Sequence, residues 1–265
     1  MAKRVSFESP FDVYDVGKVI GEGGAGLVYE VTNAGGDPFA LKCLAPERIT
    51  AERLKRFKNE IAFCQKQDHP NIIKVVDTGA TLIKNVKCPF YVMHRYSGTL
   101  RTRMRDIRPD DALRAFSQIL DGVEAAHLAD VWHRDLKPEN VLWNERDGRL
   151  VVADFGIAHF EEEELYTAVE TKAAARMANF LYSAPEQRMR GAPVDRRADI
   201  FSLGLILSEL FTKEVPQGAG FKRISDTHAA YGYIDDLVDS MIQQNPTNRP
   251  PTIETIKKDL IGLIL

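Results

Sequence analysis

Eight consecutive residues, His133-Arg134-Asp135-Leu136-Lys137-Pro138-Glu139-Asn140, crowd charged and amide side chains into one short stretch. A carboxylate such as Asp135 can orient a hydroxyl and accept its proton. Lys137, two residues on, can neutralise charge on a moving phosphoryl group, and Asn140, five residues after the aspartate, offers a hard oxygen to a metal ion. The plainer reading is a charged loop after a helix, but this order of side chains over eight positions is improbable by chance. Downstream, Asp154-Phe155-Gly156 closes an apolar, strand-like tract at 150–153. A carboxylate at a strand end can hold a magnesium ion that bridges phosphates.

Two further features upstream fit phosphate. Gly21-Glu22-Gly23-Gly24-Ala25-Gly26-Leu27-Val28 lies between two alternating tracts. Glycines there let backbone amides approach an anion closely. The same spacing occurs in dinucleotide-binding folds, where a helix must follow. Here an alternating tract follows at 27–32, which argues against that fold and leaves a phosphate cradle or a simple hairpin turn. Lys42 sits in the apolar tract 39–44 and needs an anion. Glu60, on the next helical tract, can supply one and aim the ammonium at phosphates. Without that context Lys42 reads as a surface lysine on an edge strand.

The elements that must position these groups change character along the chain. Strand-like alternation covers 11–20, 27–32 and 39–44, with a turn signal at 33–38 and further strands at 72–78 and 90–93. Residues 51–66 have helical spacing, with Leu54, Phe57, Ile61 and Cys64 on one face. After Gly98 the pattern turns helical, at 110–129, 199–211, 234–244 and 252–265. The bulk numbers suit a soluble globular chain. It has 265 residues, 44% hydrophobic and 28% charged, with a net charge of −3. That balance carries no nucleic-acid footprint. No apolar run approaches the roughly 18 residues of a membrane span, and the polar start, 1–9, does not read as a signal peptide. Three cysteines without paired spacing, Cys43, Cys64 and Cys88, fit reduced thiols and a cytoplasmic location.

Taken in order, the glycine-rich loop, strand lysine, helix glutamate, His-Arg-Asp loop, Asp-Phe-Gly and Ala184-Pro185-Glu186 resemble the protein kinase family over about residues 11–260. The resemblance implies the α+β bilobal kinase fold: a small β-rich N-lobe with one main helix at about 11–94, a hinge at 95–98, and a larger helical C-lobe at 99–265, with ATP between lobes. Carried over by position, Lys42 binds the α- and β-phosphates and Glu60 anchors it. Asp135 is the catalytic base, Lys137 touches the γ-phosphate, and Asn140 and Asp154 bind magnesium or manganese. Ile20, Gly21, Gly23 and Gly26 cover the nucleotide. Val28, Ala40 and Leu142 enclose adenine, Met93 gates the back of the pocket, and His94 and Tyr96 supply hinge backbone groups. Glu186 would pair with Arg249, Asp199 would brace the catalytic-loop backbone, and Cys64, Val75, His133 and Phe155 would form a stacked column. Lys137 points to serine/threonine rather than tyrosine substrates on proteins. Ser183-Ala184-Pro185-Glu186-Gln187 resembles bacterial members of the eukaryotic-like group.

The sequence also departs from the family. Ala178-Asn179 stands where Gly-Thr is common. Ala173-Ala174-Ala175 stands where activation-loop acceptors often lie, and two readings stay open: a loop that naturally lacks an acceptor there, or replaced hydroxyls. Thr167 and Thr171 are the remaining candidates, with Tyr166 beside them. The run Glu161–Glu164 reads as solvated charge, or as an acidic mimic near Arg134. Two rival functions differ in class. A scaffolding pseudokinase would lack ATP turnover. A small-molecule phosphotransferase would lack the His-Arg-Asp-x-Lys-Pro-Glu-Asn run and the Ala-Pro-Glu segment. The sequence leaves room for further domains or self-association.

Overall fold

The computed structural model describes residues 5–23, 26–155, 181–218 and 220–264. Alternating apolar residues in the first third form six strands: β1 (Ser6–Glu8), β2 (Val13–Gly23), β3 (Gly26–Thr32), β4 (Pro38–Cys43), β5 (Val75–Ile83) and β6 (Val86–His94). All neighbours pair antiparallel, in the order β1-β2-β3-β4-β6-β5. The one long helix here is α1 (Ala51–Lys66), whose bounds coincide with the spacing read above. Thr50 caps it by accepting a hydrogen bond from the Arg53 N–H, which satisfies one of the orphan donors of the first turn. Its inner face buries Phe57, Glu60, Phe63 and Cys64.

The sheet has a core of Phe7, Tyr14, Val31, Leu41, Cys43, Cys88, Phe90 and Val92. Burial, with Cys88 nearby, pushes the Cys43 thiol up to about 12, so it packs as a small apolar group. Two strand expectations need correction. Strands do form from the tracts at 72–78 and 90–93, but their bounds differ: β5 starts at Val75 and runs on to Ile83, β6 starts back at Val86, and the two make a hairpin joined at Lys84-Asn85 with φ of 50° and 62°. Two left-handed residues match the strand twist, yet neither is glycine, so the turn signal was absent. Strand β1 lies ahead of residue 11, where the domain was expected to start. It is fastened by Phe7 in the core and by Ser9 and Tyr14, whose hydroxyls donate to Asp77 Oδ2 at 2.5 and 2.7 Å.

The chain divides into two compact units between Ser97 and Gly98. The second opens with β7 (Gly98–Thr99), which pairs with β8 (Val141–Asn144), itself paired with β9 (Arg149–Val152). Among the described residues its α-helices are α2 (Leu100–Arg103), α3 (Pro109–Leu128), α4 (Arg197–Thr212), α5 (Ile224–Thr227), α6 (Asp235–Met241) and α7 (Ile253–Ile264). Pro109 opens α3 with Asp110 and Asp111 in its first turn, both favourable at a helix N-terminus. Its stripe Phe116, Ile119, Leu120 and Val123 is fully buried. α4 is apolar nearly all round and buried from Ala198 to Thr212, as a central helix must be. Gly204 lets α6 approach: a Cβ there would lie 2.8 Å from Met241 Cβ and Ile242 Cγ2. Among the described residues no helix is long and apolar enough to cross a membrane.

Candidate active site

In the first unit the strand register stacks the predicted phosphate groups. Gly21 lies opposite Val28, and Val28 opposite Lys42, across β2, β3 and β4. Gly23 and Gly26 close the hairpin as partners; Gly24 and Ala25 lie outside the described residues. Gly26 has a φ of +156°, and a Cβ on it would sit 2.0 Å from the Cys43 carbonyl oxygen, so only glycine fits. β4 runs between β3 and β6, which removes the edge-strand reading of Lys42. The lysine is buried, 6% exposed, and its Nζ donates to both Glu60 oxygens at 2.9 and 3.1 Å. Tyr91, opposite Lys42 on β6, adds a hydrogen bond from its hydroxyl to Glu60 Oε1 at 3.0 Å. Met93 pairs with both Ala40 and Val75, and all three are buried. Ile20 is exposed, His94 ends β6 and stacks on Phe39, and Tyr96 follows in the segment before Gly98.

In the second unit the eight-residue run is pinned from α4. Asp199, wholly buried, accepts from the His133 N–H at 2.9 Å and the Arg134 N–H at 2.7 Å, and bonds His127 Nε2 at 2.8 Å. Burial alone would raise its pKa, but the bonds and charges of His127, His133 and Arg134 outweigh that and hold the carboxyl below the usual range. Asp135 is gripped from two sides. Lys137 Nζ donates to its oxygens at 2.9 and 3.1 Å, and Asn140 Nδ2 donates to its carbonyl at 2.7 Å and to Oδ2 at 3.1 Å. With Nδ2 so engaged, the Asn140 side-chain oxygen is the end left to meet a cation. The Ala153 N–H donates to the Asn140 carbonyl at 2.8 Å, and His133 Nε2 bonds the Ala153 carbonyl at 3.0 Å. These bonds tie the start of Asp154-Phe155 to the loop, and Phe155 packs on His133 with ring centroids 4.9 Å apart. Arg134 and Asp154 both adopt left-handed backbone, φ 60° and 61°, a conformation that costs a non-glycine residue about 1–2 kcal/mol. Leu142 sits in β8 beside this loop.

The residues from 14 to 264 match the protein kinase domain family. The chain belongs to the protein kinase family. Among curated proteins, this kinase domain is 36% identical over 209 residues to a probable serine/threonine-protein kinase, SCO3848, of Streptomyces coelicolor, covering 77% of this chain and 30% of that one. It is 30% identical over 273 residues to the serine/threonine-protein kinase pkn3 of Myxococcus xanthus, covering 93% of this chain and 49% of that one. The chain thus spans half or less of these relatives' length. Among solved structures it resembles the kinase domain of Mycobacterium tuberculosis PknI, with a TM-score of 0.72 and 25% identity over 99% of both chains. The kinase domain is of the eukaryotic-like serine/threonine type. Its β-sheet N-terminal unit and helical C-terminal unit are those of the bilobal kinase fold.

The family implies ATP and a divalent metal, and the donor set fits. An amide oxygen and a carboxylate, Asn140 and Asp154, suit magnesium, which takes few protein ligands and fills its shell with water and phosphate oxygens.

The pairing of Glu186 with Arg249 is present, bidentate at 2.7 and 2.8 Å. Sequence reasoning missed a second network. Arg101 on α2 donates to Glu139 Oε1 at 2.7 Å, to Glu209 Oε1 at 2.5 Å and to the Tyr182 hydroxyl at 2.5 Å, and that hydroxyl donates to Glu209. Burial opposes the Arg101 charge, but Glu209 and Glu139 outweigh it and raise its pKa. Only Glu139, inside the quoted run, was visible beforehand. Gln187 was also missed as a partner of the loop; it donates to the Arg134 carbonyl at 2.7 Å. Arg134 itself lies over the Trp132 ring, 5.0 Å from its centroid, and donates to the Val194 carbonyl at 3.3 Å. Thr167, Thr171, Tyr166, Ala173–Ala175, Ala178-Asn179 and Glu161–Glu164 lie outside the described residues.

Proposed function

We propose that this kinase domain moves the γ-phosphoryl group of ATP to serine or threonine hydroxyls of protein substrates, with magnesium or manganese. The observation that carries this reading is Asp135 held between the Lys137 ammonium and the Asn140 amide. Asp135 accepts the proton of the substrate hydroxyl, and Lys137 offsets charge on the phosphoryl oxygens. Lys42, aimed by Glu60, engages the α- and β-phosphates beneath Gly21, Gly23 and Gly26. Ile20, Val28, Ala40 and Leu142 enclose adenine, with Met93 behind it and His94 and Tyr96 offering backbone groups. A metal held by Asn140 and Asp154 would neutralise phosphate charge. The names of the similar proteins and the Lys137 position support serine/threonine over tyrosine. Activation-loop control through Thr167 or Thr171 belongs to the same reading. Burial lowers the Arg134 pKa by desolvating its guanidinium, and a phosphate brought to it would favour the charged form and add charge-assisted bonds. A cytoplasmic setting fits three buried cysteines that are in no disulfide.

The deciding experiment is phosphotransfer to a peptide by the unaltered chain and by Asp135→Asn, each with and without excess chelator. The variant should melt normally and lose on the order of 10²–10⁴ in rate, and chelation should stop transfer. Full turnover by a folded Asp135→Asn, or in excess chelator, would sink the assignment.

A further inference from the structure

The left-handed backbone at Arg134 immediately precedes the proposed base, and such a conformation persists only where its surroundings over-determine it. Two side chains hold it. Asp199 takes the Arg134 N–H at 2.7 Å, on the side away from Asp135. Gln187 Nε2 takes the Arg134 carbonyl at 2.7 Å, and that carbonyl belongs to the peptide unit leading into Asp135. The N–H of the same peptide unit reaches His133 Nδ1 at 3.3 Å. The plane of this peptide is therefore fixed at its oxygen by Gln187.

The amide of Gln187 is itself oriented. Its Oε1 accepts the Ala184 N–H at 2.9 Å, which turns Nε2 toward Arg134. One head group must accept on one side and donate on the other. An amide does both, a carboxylate only accepts, and a leucine does neither. The turn that carries it, Pro185–Arg188, has an anchor of its own in the bond of Glu186 to Arg249. Loss of the Gln187 bond therefore frees the loop peptide without freeing the turn.

We infer that Gln187 is a positioning residue for phosphoryl transfer: it couples the Pro185–Arg188 turn to the peptide unit before Asp135 and sets the aim of that carboxylate. The inference rests on the proposed role of Asp135. It is tested by steady-state kinetics of the unaltered chain, Gln187→Glu and Gln187→Leu, with a serine peptide and ATP, alongside thermal melting. Gln187→Glu keeps the acceptor for Ala184 and places a second acceptor against the Arg134 carbonyl. Misplacement of a reacting group by about 1 Å costs up to about 100-fold, so kcat should fall by about 10–100-fold in Gln187→Glu and less in Gln187→Leu. KM for ATP and the melting temperature should stay near those of the unaltered chain. An unchanged kcat in folded Gln187→Glu, beside an active unaltered chain, overturns the positioning role alone. So does a loss of kcat that is equal in both variants and accompanied by a lower melting temperature. A folded unaltered chain with no turnover overturns both this role and the reading of Asp135.

Discussion

Arg249→Met should cost the second unit about 3–5 kcal/mol, the loss seen when one partner of a buried ion pair is removed. The Arg249 side chain is 0% exposed and that of Glu186 7%, so water cannot replace the missing partner. Methionine also abandons three carbonyls that the guanidinium serves, those of Gln243 at 2.7 Å, Arg197 at 2.9 Å and Gln244 at 3.2 Å. It keeps some packing against the Phe201 ring, whose centroid lies 4.9 Å from the guanidinium carbon. The carbonyls push the loss toward the upper end of the range, because each unmet acceptor adds about 1 kcal/mol or more. A domain of this size loses about 2–4 °C of melting temperature per kcal/mol, so the shift should be about 6–20 °C. Urea unfolding followed by circular dichroism measures the free energy directly, with the slope as a check on two-state behaviour. Adding Glu186→Leu to Arg249→Met should recover part of the loss, because no uncompensated buried charge is then left. A loss below about 1 kcal/mol with an unchanged slope would refute the argument, since buried pairs broken on one side do not behave so.

Two other outcomes follow from the geometry. Asp199 has a folded-state pKa below its unfolded value, so the stability it contributes is present above the unfolded value of about 3.9 and is lost as pH falls through the folded one. Asp199→Asn should therefore destabilise by about 2–4 kcal/mol near neutral pH, with the gap to the unaltered chain narrowing below about pH 4; urea midpoints across pH test this, and a gap that stays constant into strong acid would exclude it. Gly26→Ala forces a Cβ to 2.0 Å from the Cys43 carbonyl oxygen, and should cost about 1–3 kcal/mol and weaken nucleotide binding; unchanged melting and unchanged titration with ATP would contradict the close approach.

Much of this was legible from local chemistry. Helix α1 could be bounded to the residue because its cap, its spacing and its terminating segment are all neighbours in sequence. The chemical roles of Asp135, Lys137 and Asn140 were read within one run of eight residues, whereas the bonds that Lys137 and Asn140 make to Asp135 came only from the structure. Lys42 with Glu60 was offered by a lysine in an apolar strand and a glutamate on the next helix, whereas Glu186 with Arg249 and the bracing by Asp199 came from the family's order of motifs. What stayed hidden was long-range or lacked a residue-type signal. Arg101 meets Tyr182 across 81 positions and Glu209 across 108, and nothing in a basic residue on a short helix names such partners. Gln187 reaches Arg134 across 53 positions. The turn at Lys84-Asn85 uses left-handed backbone without glycine, so the hairpin that joins the two expected strands went unread.

Strand β1 bears on how the protein should be handled. β1 and β5 stand at opposite ends of the strand order, yet they pack against each other, and Ser9 and Tyr14 meet on Asp77 of β5. A bare outer edge is the feature through which copies of a β-sheet protein aggregate, and β1 gives β2 a paired neighbour on that side. The family match begins at residue 14. A fragment trimmed to that boundary would remove Phe7 from the core and Ser9 from Asp77, and would leave β2 with an unpaired row of backbone groups. Amides of β2 that exchange slowly in the full chain would then exchange fast, and the fragment's solubility would fall with concentration. The useful boundary for this kinase domain lies ahead of Ser6.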